Sequence, residues 1–224
     1  LSNSESKVIN LLEALPVPSL VSWAGIDLLD SNHHLNYGRA GVYGTRAGNF
    51  IIQNSDLVIS IGNRMSILMI GYEQEEFARK AKIVQVDIDQ TEIEKVKNII
   101  DISINLDAGE FIKILIKLLK EKKNKIPQFD KWINRCNGYR NRYPFIGPEH
   151  NDTKNYINSY KFMDKLSDYL KPKQIIVTDT GTALLSGHQS LKLKNGHRLM
   201  TSTGLGEMGN GLPGAIGASF AVNK

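Results

Sequence analysis

The chain has 224 residues, 41% hydrophobic and 23% charged, with a formal net charge of +5. That length allows one large domain or two small ones with a real core, and the modest charge, densest over Lys117 to Lys125 without interleaved aromatics, argues for a solvated helix face and against a nucleic-acid surface. The single Cys136 excludes an internal disulfide framework and fits a reducing, cytoplasmic setting, and no apolar run of about 18 residues marks a membrane span.

Residues 5 to 15 carry helical spacing and stop before Pro16 and Pro18. Ser19 to Trp23 reads as a short buried strand. The long loop that follows holds the adjacent pair His33 and His34, with no Cys, Asp or Glu at ligand spacing beside them, so no metal is expected there. It also holds Gly41 and Gly44. A helix is predicted from Gly44 to about Asn54, a strand over Leu57 to Ile61 closed by Gly62, Asn63 and Arg64, and a helical piece ending near Ala81. Ile83 to Asp89 gives a second strand with acids at its carboxyl end, and Ile102 to Asn105 a third. Asp107 then caps a helix whose Phe111, Ile112, Leu115, Leu118 and Leu119 form one apolar stripe. Strands alternating with helices imply a parallel, Rossmann-like α/β sheet whose ligand edge lies beyond the strand carboxyl ends. Arg64 there is either a phosphate contact or a surface ion pair, and Asp87 and Asp89 are either ribose contacts or a helix cap.

The segment from residue 121 to 155 is charged and interrupted by Pro127, Pro144 and Pro148, and holds one predicted helix from Phe129 to Tyr143. Domains are therefore expected over 1–122 and 156–224, with 123–155 as an ordered linker. The second domain opens with a helix around Ile157 to Leu170 and a strand from Gln174 to Thr178. That strand runs into Asp179-Thr180-Gly181-Thr182 and a helix from about Ala183 to Gln189, an arrangement that suits an anion at a helix N-terminus or, alternatively, simple capping by the threonines. Four glycines then crowd the stretch from Gly204 to Gly211, with Met208 as a large apolar side chain among them. Pro213 falls in the first turn of a closing helix rich in small residues.

Gly204-Leu-Gly-Glu-Met-Gly-Asn-Gly-Leu-Pro-Gly-Ala-Ile-Gly-Ala218, preceded by Ile175-Ile-Val-Thr-Asp-Thr-Gly181, resembles the opening of the diphosphate-binding domain of thiamine diphosphate enzymes, in particular the acetolactate synthase large-subunit group. Residues 1 to about 120 resemble the central domain of the same proteins through Gly41-Val-Tyr-Gly-Thr45, Asn54-Ser-Asp-Leu57, Gly62-Asn-Arg64 and Lys82 to Ile93. The resemblance implies a truncated second α/β domain, decarboxylation of pyruvate and its ligation to another 2-keto acid, and a homodimer or tetramer. It places Met208 as a wedge under the bent cofactor, the Gly206 carbonyl as acceptor from its aminopyrimidine, and Thr180, Gly181 and Thr182 against the diphosphate. For the central domain it implies FAD along Gly41, Gly44, Gly62, Arg64, Asp87, Ile88, Asp89 and Asp107. The chain departs from the group at Thr182-Ala183, where relatives carry Gln-His, at Met65-Ser66-Ile67, where they carry Phe-Asp-Asp, and at Leu106, where glycine is common. The Mg2+ ligands are expected after Lys224 and the catalytic glutamate before Leu1, so the 224 residues are read as a fragment that does not turn over substrate by itself. A decarboxylase, oxidase or carboligase of the same superfamily, and a non-catalytic nucleotide-binding module, are the alternative readings.

Overall fold

Val, Ile and Leu fill three short segments bounded by turn residues, and in the computed structural model, which describes residues 4–222, these become β1 (Leu57–Ile61), β2 (Lys82–Asp87) and β3 (Ile102–Asn105). They form one parallel sheet in the order β1-β2-β3, with Ile61 beside Val86 and Asp87 beside Asn105. Parallel pairing puts all three carboxyl ends on one edge, which is how residues scattered from Gly62 to Asp107 become neighbours. The expected mixed α/β architecture with parallel sheets is what forms.

Around this sheet the first unit, made of residues up to Leu20 together with Tyr37–Arg142, carries α1 (Glu5–Ala14), α2 (Arg46–Gln53), α3 (Ile67–Ile70), α4 (Gln90–Glu94), α5 (Ala108–Glu121) and α6 (Asp130–Arg142). Thr45 caps α2, its side-chain oxygen accepting from the Gly48 N–H at 3.0 Å, and Asp107 caps α5 through the amides of Gly109 and Glu110 at 2.8 and 3.1 Å. Met65, Ile70, Phe77, Ala78, Ile83 and Val96 make one apolar cluster. A second cluster joins Tyr37 and Ile51 to Cys136, with Trp132 and Tyr139 packed against it, so the helix in the proline-interrupted stretch is part of this unit. Burial pushes the Cys136 thiol up to about 12, which makes it an inert packing group.

The second unit consists of Val21–Asn36 together with residues from Tyr143 onward. It holds α7 (Ser159–Leu166), β4 (Ile175–Val177), α8 (Thr182–Ser190), β5 (Arg198–Met200) and α9 (Gly211–Ala221). Its core gathers Ile26 with Leu191, Leu193 and Leu199, backed by Met163, Leu166, Leu170 and Ile176. Asp27, 3% exposed in its side chain, accepts from the Leu199 N–H at 3.0 Å and pairs with Arg198 at 3.3 Å. The Leu193 amide donates to Ser31 Oγ at 2.9 Å. These contacts draw a sixteen-residue piece of the early chain into the later unit, a division that differs from boundaries placed by composition alone.

Three local expectations change. Ser19 to Trp23 does not form a strand within either sheet; Ser19 receives one hydrogen bond from the Tyr37 N–H at 2.9 Å, and Trp23–Gly25 winds into a 3-10 turn. The helical piece leading to Ala81 is split, because Gly71 takes φ 83° after α3 and only a 3-10 turn at Gln74–Glu76 follows. Finally β5, three residues long and flanked by polar segments, has no sequence signature and pairs in parallel with β4, Ile175 beside Arg198 and Val177 beside Met200.

Candidate cofactor site

The pairing of β4 with β5 brings two distant stretches to one edge. Beyond β4 comes the turn Asp179-Thr180-Gly181, and beyond β5 the run from Thr201 through Gly211, which opens α9. Gly181, with φ 67°, occupies the N-cap of α8, and no side chain caps that helix. An uncapped first turn of a nine-residue helix leaves N–H donors and the positive end of the helix dipole directed at the space before it. A Cβ placed on Gly181, Gly204 or Gly209 would meet nothing within 4 Å, so the backbone there faces open space. Gly206 has φ 68°, and a Cβ on it would stand 3.6 Å from Oγ1 of Thr180. Two of the residues expected to hold opposite ends of one ligand are therefore next to each other.

In the same loop the apolar side chains turn outward. Met208 and Leu205 are each 88% exposed, so neither is spent in the core of the unit. The loop is held by polar contacts: Glu207 accepts a short hydrogen bond from the Ser202 hydroxyl, which keeps its carboxyl below the usual range. At the other end Gly211 lies so close to Asp179 that a Cβ would come within 3.0 Å of the Asp179 backbone nitrogen. Gly214 similarly allows α9 to approach Val177 of β4, where a Cβ would stand 3.2 Å from Cγ1. His188, further along α8 than the Thr182-Ala183 position where relatives carry Gln-His, is buried, stacked on Trp23 at 4.9 Å with Nδ1 3.0 Å from the Leu184 carbonyl. It serves the core and does not reach the open turn.

Of the residues expected to meet a flavin in the first unit, the four with charged side chains are already engaged. Arg64, 72% exposed in its side chain, pairs with Glu92 at 2.9 Å, and Lys95 reaches the same Glu92 oxygen at 2.6 Å. Asp89 caps α4 through the Thr91 amide at 2.8 Å, and Asp87 accepts from the Asp89 amide at 3.0 Å. Asp107 caps α5, as given above. Ile88 is 70% exposed. Gly41 exchanges two hydrogen bonds with the Asn49 side chain, and its φ of 111° leaves it pressed on the backbone of Leu68. Gly44 turns back on Gly41, its amide donating at 2.9 Å, and Gly62, with φ 59°, donates to the Val86 carbonyl at 2.8 Å. Apart from Ile88, these residues take part in contacts of the sheet edge or its loops, so a dinucleotide there would have to share Arg64 and the capping acids with their present partners. The alternatives of ion pair and helix cap describe Arg64 and Asp89.

His33 and His34 stack on each other at 4.7 Å, and among the described residues no three His, Cys, Asp or Glu side chains gather in a way that could hold a metal ion. Nor, among the same residues, is any helix long and apolar enough to cross a membrane.

A parallel α/β sheet followed by a strand, threonine turn and glycine loop defines a class, and sequence comparison agrees with it. Residues 1–115 match the family described as thiamine pyrophosphate enzyme, central domain, and residues 179–224 match thiamine pyrophosphate enzyme, C-terminal TPP binding domain. The chain belongs to the thiamine pyrophosphate enzyme family. Among its relatives, it is 31% identical over 219 residues to the acetolactate synthase isozyme 1 large subunit of Escherichia coli, covering 98% of this chain and 37% of that protein. Against the acetolactate synthase large subunit of Porphyra purpurea it is 31% identical over 222 residues, covering 99% of this chain and 36% of the relative. A probable acetolactate synthase large subunit of Methanococcus aeolicus is likewise 31% identical, with 99% and 38% covered. The chain thus spans little more than a third of the length of the curated relatives it matches.

Proposed function

We propose that the protein to which these 224 residues belong is a thiamine diphosphate-dependent enzyme that decarboxylates pyruvate and joins the remaining two-carbon unit to a second 2-keto acid. The observation that carries this reading is the adjacency of Gly206 to Thr180, which precedes an uncapped helix, with Met208 of the same glycine loop standing free of the core. A ligand with an anionic end and an apolar ring system suits that combination.

In this reading the amides at the start of α8, with the hydroxyls of Thr180 and Thr182, bind and orient the diphosphate. The Gly206 carbonyl would accept a hydrogen bond from the aminopyrimidine and so hold that ring in place. Met208 would supply an apolar surface against the ligand and keep water from its face. When bound, thiamine diphosphate supplies the nucleophilic carbon and the electron sink for loss of carbon dioxide. No residue of the 224 is assigned the catalytic glutamate or a Mg2+ ligand, and the 224 residues are proposed to be inactive by themselves. A homodimer or tetramer, with Mg2+ anchoring the diphosphate, completes the proposal. No step passes through a flavin, because the residues that would receive one have other partners.

The test is production of acetolactate from pyruvate by the full-length protein with and without thiamine diphosphate and Mg2+. Cofactor-dependent acetolactate supports the proposal. Acetaldehyde without acetolactate would replace the ligase reading by a decarboxylase. Absence of thiamine diphosphate binding by calorimetry would leave a non-catalytic nucleotide-fold protein.

A further inference from the structure

Between β4 and α9 one carboxylate receives three backbone amides. Asp179 Oδ1 accepts from the Thr180 N–H at 2.7 Å, both its oxygens stand 3.1 Å from the Gly209 nitrogen, and Oδ2 accepts from the Gly211 N–H at 3.2 Å. Two of those donors lie 30 and 32 residues further along the chain. These hydrogen bonds hold the Asp179 carboxyl below the ordinary carboxylate range, Thr180 and Gly211 contributing most. Gly209 adopts φ 86°, a left-handed conformation that directs its amide to Asp179, and Gly211 must lack a side chain to approach it. The loop portion bracketed between β5 and these two amides contains Gly206 and Met208.

We infer that Asp179 is a positioning residue: its carboxylate latches the glycine loop to the end of β4 and so fixes Gly206 and Met208 against the Thr180 turn before any cofactor arrives. Charge-assisted hydrogen bonds to amides are the stronger kind, and here they replace the side-chain packing that a glycine-rich, outward-facing loop cannot provide. Asp179 itself does not touch the ligand in this arrangement. It acts by reducing the number of loop conformations that binding would otherwise have to freeze out. Neither the threonine turn nor the glycine motif, considered separately, reveals it.

The inference rests on the proposed cofactor site, so its test reads the loop with and without the ligand. In the full-length protein, Asp179→Asn and Asp179→Ala are expected to raise hydrogen exchange across residues 203–212 at least tenfold in the absence of thiamine diphosphate, while the β1–β3 sheet stays as protected as in the wild type. Affinity for thiamine diphosphate, measured calorimetrically in the presence of Mg2+, is expected to weaken at least tenfold, with kcat for pyruvate falling and its KM little changed. Asp179→Glu, which keeps the carboxylate, should recover part of the protection and part of the affinity, and it covers the case in which the neutral variants do not fold. Unchanged exchange across residues 203–212 in folded variants would overturn the latch. Faster exchange with wild-type affinity would overturn its role in positioning. If the wild type fails to bind thiamine diphosphate, the proposed function fails and takes the positioning role with it, an outcome separate from both.

Discussion

Truncating Met208 separates a ligand-facing side chain from a core one. A methionine buried in a core costs about 2–5 kcal/mol of stability when cut to alanine. Met208 is 88% exposed, so about a tenth of that cost applies, a few tenths of a kcal/mol. For a domain of 150–250 residues this amounts to a melting shift of about 2 °C or less. Against the cofactor the same side chain would be covered, and the transfer value for a fully buried methionine, about 1.5–3 kcal/mol, corresponds to roughly a 10- to 150-fold loss in turnover if the contact matters most in the reacting geometry. Met208→Ala in the full-length protein is therefore expected to melt like the wild type and to lose activity by that factor, whereas Met208→Leu keeps most of both. Differential scanning fluorimetry and a coupled acetolactate assay read the two quantities. A melting drop of several degrees would mean that Met208 is a core residue in the complete protein, and undiminished turnover would refute its role as a wedge.

Cys136 is expected to stay silent to a disulfide-exchange reagent at pH 8 in the folded full-length protein and to react once denaturant is added; rapid labelling of the native state would contradict its burial and its thiol raised to about 12. The Glu92 carboxyl lies below its ordinary value, held there first by the Arg64 guanidinium and then by Lys95. Its contribution is thus complete above the unfolded carboxylate pKa of about 4.3 and disappears as pH falls through the lower folded value. Glu92→Gln should cost about 1 kcal/mol near neutrality, because both cations are largely exposed, and should flatten the acid limb of a melting-versus-pH curve. Adding FAD to the purified full-length protein should leave both its melting temperature and its acetolactate production unchanged; a flavin absorbance band that co-elutes with the protein would show that the contacts of Arg64, Asp89 and Asp107 rearrange.

Local chemistry made much of this fold readable. Leu57–Ile61 and Ile102–Asn105 form strands at the expected bounds because β-branched runs end at turn residues, and Asp107 caps α5 because a short acid before a helical stripe has little else to do. The threonine turn and the glycine loop were readable as separate motifs. Their meeting was not, because it depends on β5, whose Arg-Leu-Met sequence carries no strand pattern and is extended only through its pairing with β4. The Asp179 latch escaped for the same reason: a carboxylate and two glycine amides some thirty residues apart have no periodicity to link them. Ser19 to Trp23 misled in the opposite direction. Its apolar character suits a strand, yet Trp23 is instead stacked on His188 in the second unit.

That early excursion has a consequence for how the polypeptide can be cut and made. Because Ile26 and Asp27 complete the core around Leu199, an expression fragment starting near Tyr143 would leave Asp27's amide donor on β5 unmatched and a hole among Leu191, Leu193 and Leu199. A ribosome likewise delivers residues 21–36 long before Leu191, Leu193 and Leu199, so this strip must wait for that core while more than a hundred further residues are synthesised. Substitutions in it should therefore impair the later unit's maturation although more than a hundred residues separate them from most of that unit.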